Sequence, residues 1–101
     1  MTQVRRMGRW MYPVDERILE HLAEESWASP STMASETEFQ QISADSEYIS
    51  QRCNLLAERE LVYPTIEGGD MFEITTLGLA YLRGDLDATS LPRWPERVST
   101  Y

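Results

Sequence analysis

The chain has 101 residues, a length that suits one small domain with a modest core. It carries 17 acids against 9 cations, all of them arginine, for a net charge of −8. No stretch approaches the roughly 18 apolar residues that cross a bilayer, the N-terminus lacks the apolar centre of a secretory signal, and a lone cysteine excludes an internal disulfide, so a cytoplasmic chain is expected.

A strongly acidic balance ordinarily argues against nucleic acid, because phosphate neutralisation supplies most non-specific affinity. The absence of lysine changes that reading. Acid-rich surfaces with arginine preferred to lysine suit a high-salt cytoplasm, where the Debye length falls to about 3 Å at 1 M and distant repulsion is screened. The alternative is a mesophilic acidic protein that binds other proteins. The charge is also uneven. Residues 1–12 hold Arg5, Arg6 and Arg9 and no acid, whereas residues 13–38 hold seven acids and only Arg17. The basic head is a candidate arm, and the acidic block is a solvated face.

Pro13 suits the first turn of a helix, with Asp15 and Glu16 favourable at its positive end. Val14, Ile18, Leu19, Leu22 and Ala23 then form an apolar stripe at helical spacing. Residues 26–29 read as a loop. Ser29-Pro30 looks like a cap followed by a first helical residue, opening a short second helix over residues 31–38 that buries Met33, Ala34 and Thr37. Phe39 and Ile42 supply apolar anchors. A third helix starts near Ser43 or Ser46 and points Ile49, Cys53, Leu56 and Ala57 at the core. At about 100° per residue its opposite face is Glu47, Ser50, Gln51, Asn54 and Glu58, with Tyr48 and Arg52 on the flanks.

Two short β-like runs follow, 61–66 and 71–74, around a Gly68-Gly69 reversal that accepts positive φ. Pro64 lacks an amide donor, which places it on a sheet edge. Thr75 or Thr76 caps a fourth helix carrying Leu77, Ala80 and Tyr81 inward, and Gly84 stops it. The tail, 85–101, has no periodicity and is expected to dock through Leu91 and Trp94. The fold class is therefore mainly α with a small antiparallel β-hairpin (α+β), a winged helix-turn-helix. The basic arm occupies 1–12, the domain 13–84 and the tail 85–101.

Enzymatic readings find little support. His21, the only histidine, lies beside Leu22 on the first helix and reads as a surface residue. Cys53 lies on a core face, where a small buried thiol is the usual outcome. The spacing offers no activating base, no zinc cluster and no phosphate-binding glycine loop. No catalytic residue, metal or cofactor is expected.

Two places suit DNA. The third helix offers Ser46, Tyr48, Ser50, Gln51, Arg52 and Asn54; glutamine and asparagine pair bidentately with adenine, and serine reads bases or phosphates. The arm offers Arg5, Arg6 and Arg9 to a minor groove or to phosphates. The wing, with Glu67 and Asp70 and no arginine at its tip, is expected to touch few phosphates.

A family resemblance rests on several blocks. They are Trp10-Met11, Asp15-Glu16-Arg17-Ile18-Leu19-Glu20, Ser29-Pro30, Ile49-Ser50-Gln51-Arg52 and Ile74-Thr75-Thr76-Leu77-Gly78-Leu79-Ala80-Tyr81-Leu82-Arg83-Gly84-Asp85-Leu86-Asp87-Ala88. Over about residues 8–88 the chain resembles haloarchaeal winged helix-turn-helix proteins related to the repressor of the phage phi-H. The resemblance implies a DNA-binding transcriptional regulator of a halophilic archaeon, with Ser50 and Arg52 as DNA contacts. Gln51 stands on the helix-face reading alone. Double-stranded DNA and a second copy of the chain are the expected partners, with no membrane and no identifiable small-molecule effector. The alternative is a protein-interaction winged helix that uses the acidic surface and the wing.

Overall fold

The computed structural model describes residues 5, 7–65 and 70–88. Helix α1 (Pro13–Glu25) begins where Pro13 supplies a preset φ, and Asp15 reaches back to accept a hydrogen bond from the Tyr12 amide at 2.8 Å. Val14, Ile18, Leu19 and Leu22 are buried as their spacing predicts, and Asp15 is buried with them. Ala23 departs from the expected stripe and is exposed, because the buried face ends at Leu22.

The 26–29 stretch is not all loop. Trp27–Ala28 form strand β1. The expected second helix is two short ones, α2 (Pro30–Ala34) and α3 (Thr37–Gln40). Ser29 caps α2 by accepting from the Thr32 amide at 3.1 Å, and the Ser35 hydroxyl donates to the Thr32 carbonyl at 2.8 Å where the helix breaks. That break leaves Thr37 exposed and lets Phe39 enter the core. Helix α4 (Ser46–Glu58) is capped by Asp45, which accepts from the Tyr48 amide at 2.9 Å, and it buries Ile49, Cys53 and Leu56.

Strands β2 (Val62–Pro64) and β3 (Phe72–Ile74) make the hairpin, and β1 pairs with the other side of β3, giving an antiparallel sheet in the order β1-β3-β2. Pro64 thus sits on an edge strand, opposite Phe72. The Gly68-Gly69 tip and Glu67 lie outside the described residues. Helix α5 (Thr76–Arg83) follows. Thr75 caps it by accepting from the Gly78 amide at 3.0 Å, and Gly84 ends it in a left-handed conformation with φ 83°.

α5 turns Gly78 and Tyr81 inward and leaves Leu77 at the surface, contrary to expectation. The reason is close approach. A Cβ on Gly78 would lie 2.4 Å from the Leu61 carbonyl oxygen and 2.5 Å from Ile74 Cγ1. One apolar core joins α1, α2, α3, α4, the sheet and α5, and it extends past residues 13–84 to Met11 on one side and Ala88 on the other. Leu91 and Trp94 lie outside the described residues. Among the described residues no helix is long and apolar enough to cross a membrane.

Candidate nucleic-acid interface

The buried triplet Ile49, Cys53 and Leu56 fixes which side of α4 faces outward. Ser46, Glu47, Gln51, Asn54 and Glu58 are exposed there, Ser50 is half-buried, and the Tyr48 ring stands at the margin. These side chains donate and accept hydrogen bonds, and the two charged ones are acids. Such a row suits base edges better than phosphates. α2 packs against α4, and the first turns of both helices line a shallow cleft with Ser29, Pro30, Ser31, Ser46, Glu47, Ser50 and Gln51. Asp70, just before β3, closes it on the wing side. The cleft brings the predicted Ser46, Ser50 and Gln51 together. It adds Ser29, Ser31 and Asp70, which the sequence pattern places in a cap, a helix and a turn.

Arg52 does not join that row. Its guanidinium points toward α1 and grips the fully buried Asp15 with two hydrogen bonds, Nε to Oδ1 at 2.9 Å and Nη2 to Oδ2 at 2.7 Å. Nη2 also donates to the Trp10 carbonyl at 2.9 Å, and the group lies 5.0 Å from the centre of the Tyr12 ring. The side chain keeps only 13 % of its exposure. The bond to Asp15 raises the Arg52 pKa further, so the cation is permanent. In the free chain the residue expected at DNA forms an ion pair with the buried Asp15 at the start of α1. Nothing in the sequence links two residues 37 positions apart, so Asp15 read only as a partner for the helix end.

The basic head is also not a free arm where it is described. Arg5 donates to the Leu82 carbonyl at 3.1 Å and pairs with Glu20, with Glu16 at 3.8 Å. Gly8 and Met11 are buried, and the Trp10 indole lies half-buried against the Ala88 carbonyl at 3.5 Å. Arg9 is exposed, and Arg6 lies outside the described residues. Arg59, at the C-terminal end of α4, places its guanidinium 4.6 Å from the centre of the Trp10 ring.

Burial pushes the Cys53 thiol up to about 12, with the Asp15 charge acting in the same direction. Such a thiol stays protonated and inert. His21 sets its ring edge-on to Phe39 at 6.0 Å. Among the described residues no three His, Cys, Asp or Glu side chains gather as a metal site.

A helix pair, a polar recognition-type helix and a three-stranded antiparallel wing define a winged helix-turn-helix. A family model described as the winged helix-turn-helix phage repressor matches residues 4–93, and the chain belongs to that family. Its structure is similar to the crystal structure of the PhiH1 repressor-like protein from Haloarcula marismortui. The TM-score is 0.81 at 34 % identity, over 91 % of this chain and 99 % of that one. No curated protein sequence matches. Family membership makes the chain a repressor-like regulator of the DNA-binding type.

Proposed function

We propose that the chain is a sequence-specific transcriptional repressor that works as a homodimer and lays α4 in the major groove. One observation carries this reading. The outward face of α4 presents Gln51 and Asn54 to solvent, flanked by Ser46, Tyr48 and Ser50, and the start of α2 and Asp70 border the cleft at its first turns. Amide side chains on an exposed helix face are suited to bidentate contacts with adenine. The lysine-free acidic composition and the haloarchaeal source of the similar structure support a high-salt cytoplasm as the setting. Arg9 is the described residue of the basic head left to approach phosphates. The acidic Asp70 suits a wing with few phosphate contacts.

Selection of bound duplexes from a random pool in molar salt tests the proposal. It predicts an enriched palindromic site, whose half-site spacing measures the dimer. Gln51→Ala with Asn54→Ala is expected to weaken that site by about 1–3 kcal/mol for each bidentate pair removed, with the melting temperature nearly unchanged. A pool that shows no enrichment, or a double variant that binds like the parent, removes the proposal.

A second reading, a protein-interaction winged helix, draws on two observations. Arg5 and Arg52 do not share a face with the polar row, and the outer side of the sheet exposes Trp27 (58 %) and Tyr63 (45 %). Failure of DNA selection together with retained self-association would favour it.

A further inference from the structure

If α4 reads bases, its roll about its own axis decides which atoms meet which base edge. A contact geometry of this kind tolerates about 0.5 Å and 10–20°. The apolar face of Ile49, Cys53 and Leu56 does not set roll that finely, because hydrophobic contact is non-directional. The directional contacts come from Arg52 and Arg59. Arg52 immediately follows Gln51 and forks onto Asp15 of α1 and the Trp10 carbonyl. Arg59 lies seven residues later, about two turns along the helix and on the same side, and rests on the indole of the same Trp10. Tyr12 adds its ring to Arg52 and its amide to Asp15.

The segment 10–12 is therefore clasped to α4 at two heights. One clasp would act as a pivot; two hold a direction. The segment is itself anchored, by Met11 in the core and by the Trp10 indole at the Ala88 carbonyl. A buried ion pair is weak evidence for stability, since apolar residues of similar volume often serve as well. What apolar residues cannot supply is the fixed fork. Molar salt does not reach this pair, because Asp15 is fully buried.

We infer that Arg52 and Trp10 are positioning residues for operator reading, acting through the roll of α4 and touching no DNA themselves. The inference rests on the DNA-binding reading above. It separates from a phosphate-binding role for Arg52 through the salt dependence of binding. Removing one arginine–phosphate pair makes the slope of log K against log salt shallower by about 0.9. A positioning residue leaves the slope alone and lowers the ratio of operator to non-operator affinity.

The experiment uses the full chain, the duplex enriched by selection and a scrambled duplex of equal length, titrated over a range of salt. Asp15→Leu with Arg52→Met removes the fork and leaves no unpaired charge. The expected result is a cooperative melt, an unchanged slope and unchanged scrambled-duplex affinity, with the operator ratio down about tenfold or more. Trp10→Ala is the second variant. It alters no charge and is expected to lower the same ratio at constant slope even if the double variant does not fold. A slope shallower by about 0.9 per protomer in the double variant would make Arg52 a phosphate ligand and overturn the inference. So would an operator ratio equal to the parent's in a folded variant. A parent that binds no duplex selectively overturns the DNA-binding reading and this inference together.

Discussion

Asp15 loses all access to water in the folded chain and accepts three hydrogen bonds in exchange, one from the Tyr12 amide and two from Arg52. Removing one member of such a pair strands the other charge, at a cost of about 3–5 kcal/mol. Arg52→Ala is therefore expected to lower the melting temperature by more than about 10 °C, given about 4–8 °C per kcal/mol for a domain of this size. Thermal unfolding followed by circular dichroism checks this. A change of only a degree or two would show that the pair is dispensable. The same result bears on how binding variants are chosen: an arginine-to-alanine change here confuses folding with binding, whereas Gln51 and Asn54 are clean. Both charges were visible in the sequence. Their pairing was not, because it depends on how α1 crosses α4, which no local pattern encodes. The cysteine was legible, since its core placement follows from its spacing to Ile49 and Leu56.

At the level of elements, α1 and α4 announce themselves through apolar spacing, and α1 and α5 through Pro13 in the first turn and a Thr75 cap; the start of α4 near Ser46 is legible, but its cap at Asp45 is not. The short elements do not announce themselves. A two-residue strand such as Trp27–Ala28 has no period to read, and it exists because β3 offers it an edge. The break between α2 and α3 is likewise a local competition, with the Ser35 hydroxyl taking a helix carbonyl. α5 shows the converse case, in which apolar residues mislead. Leu77 and Leu79 both face solvent, while a glycine between them faces inward. Gly78 lets α5 press against the entrance to β2 and against Ile74. Gly78→Ala is expected to cost about 1–3 kcal/mol, as overpacking does, because the backbone carbonyl of Leu61 cannot swing aside. Urea denaturation measures it. A stabilised variant, as helix propensity alone would give, would show that the approach is looser than described.

Across the whole molecule, the arrangement of cations matters more than their number. Arg5, Arg17, Arg52 and Arg83 each pair with a carboxylate, and Arg59 rests on an indole. Few described cations remain to meet phosphates. At about 0.9 per phosphate engaged, Arg9 from two protomers gives the described surface a slope of log K against log salt no steeper than about −2. Fluorescence anisotropy with the selected duplex from low to molar salt checks the value. A slope twice as steep would mean that more arginines engage phosphates than the described surface offers. A shallow slope has a physical use in concentrated salt, since binding that releases few counterions loses little affinity there. Recognition then rests on hydrogen bonds and shape, which screening does not weaken.

The hydrogen bond between the Trp10 indole and the Ala88 carbonyl brings the two flanks of the fold side by side, and Gly8 lies against the same carbonyl. Flanks that meet can be joined. A short linker from Ala88 back to Gly8 would close residues 8–88 into a ring, and a new opening between β2 and β3 would then leave every described helix and the α1–α4 crossing intact. The fold is in that sense indifferent to where the polypeptide starts, and the place it can least afford to be cut is the single tryptophan that fastens both flanks to α4.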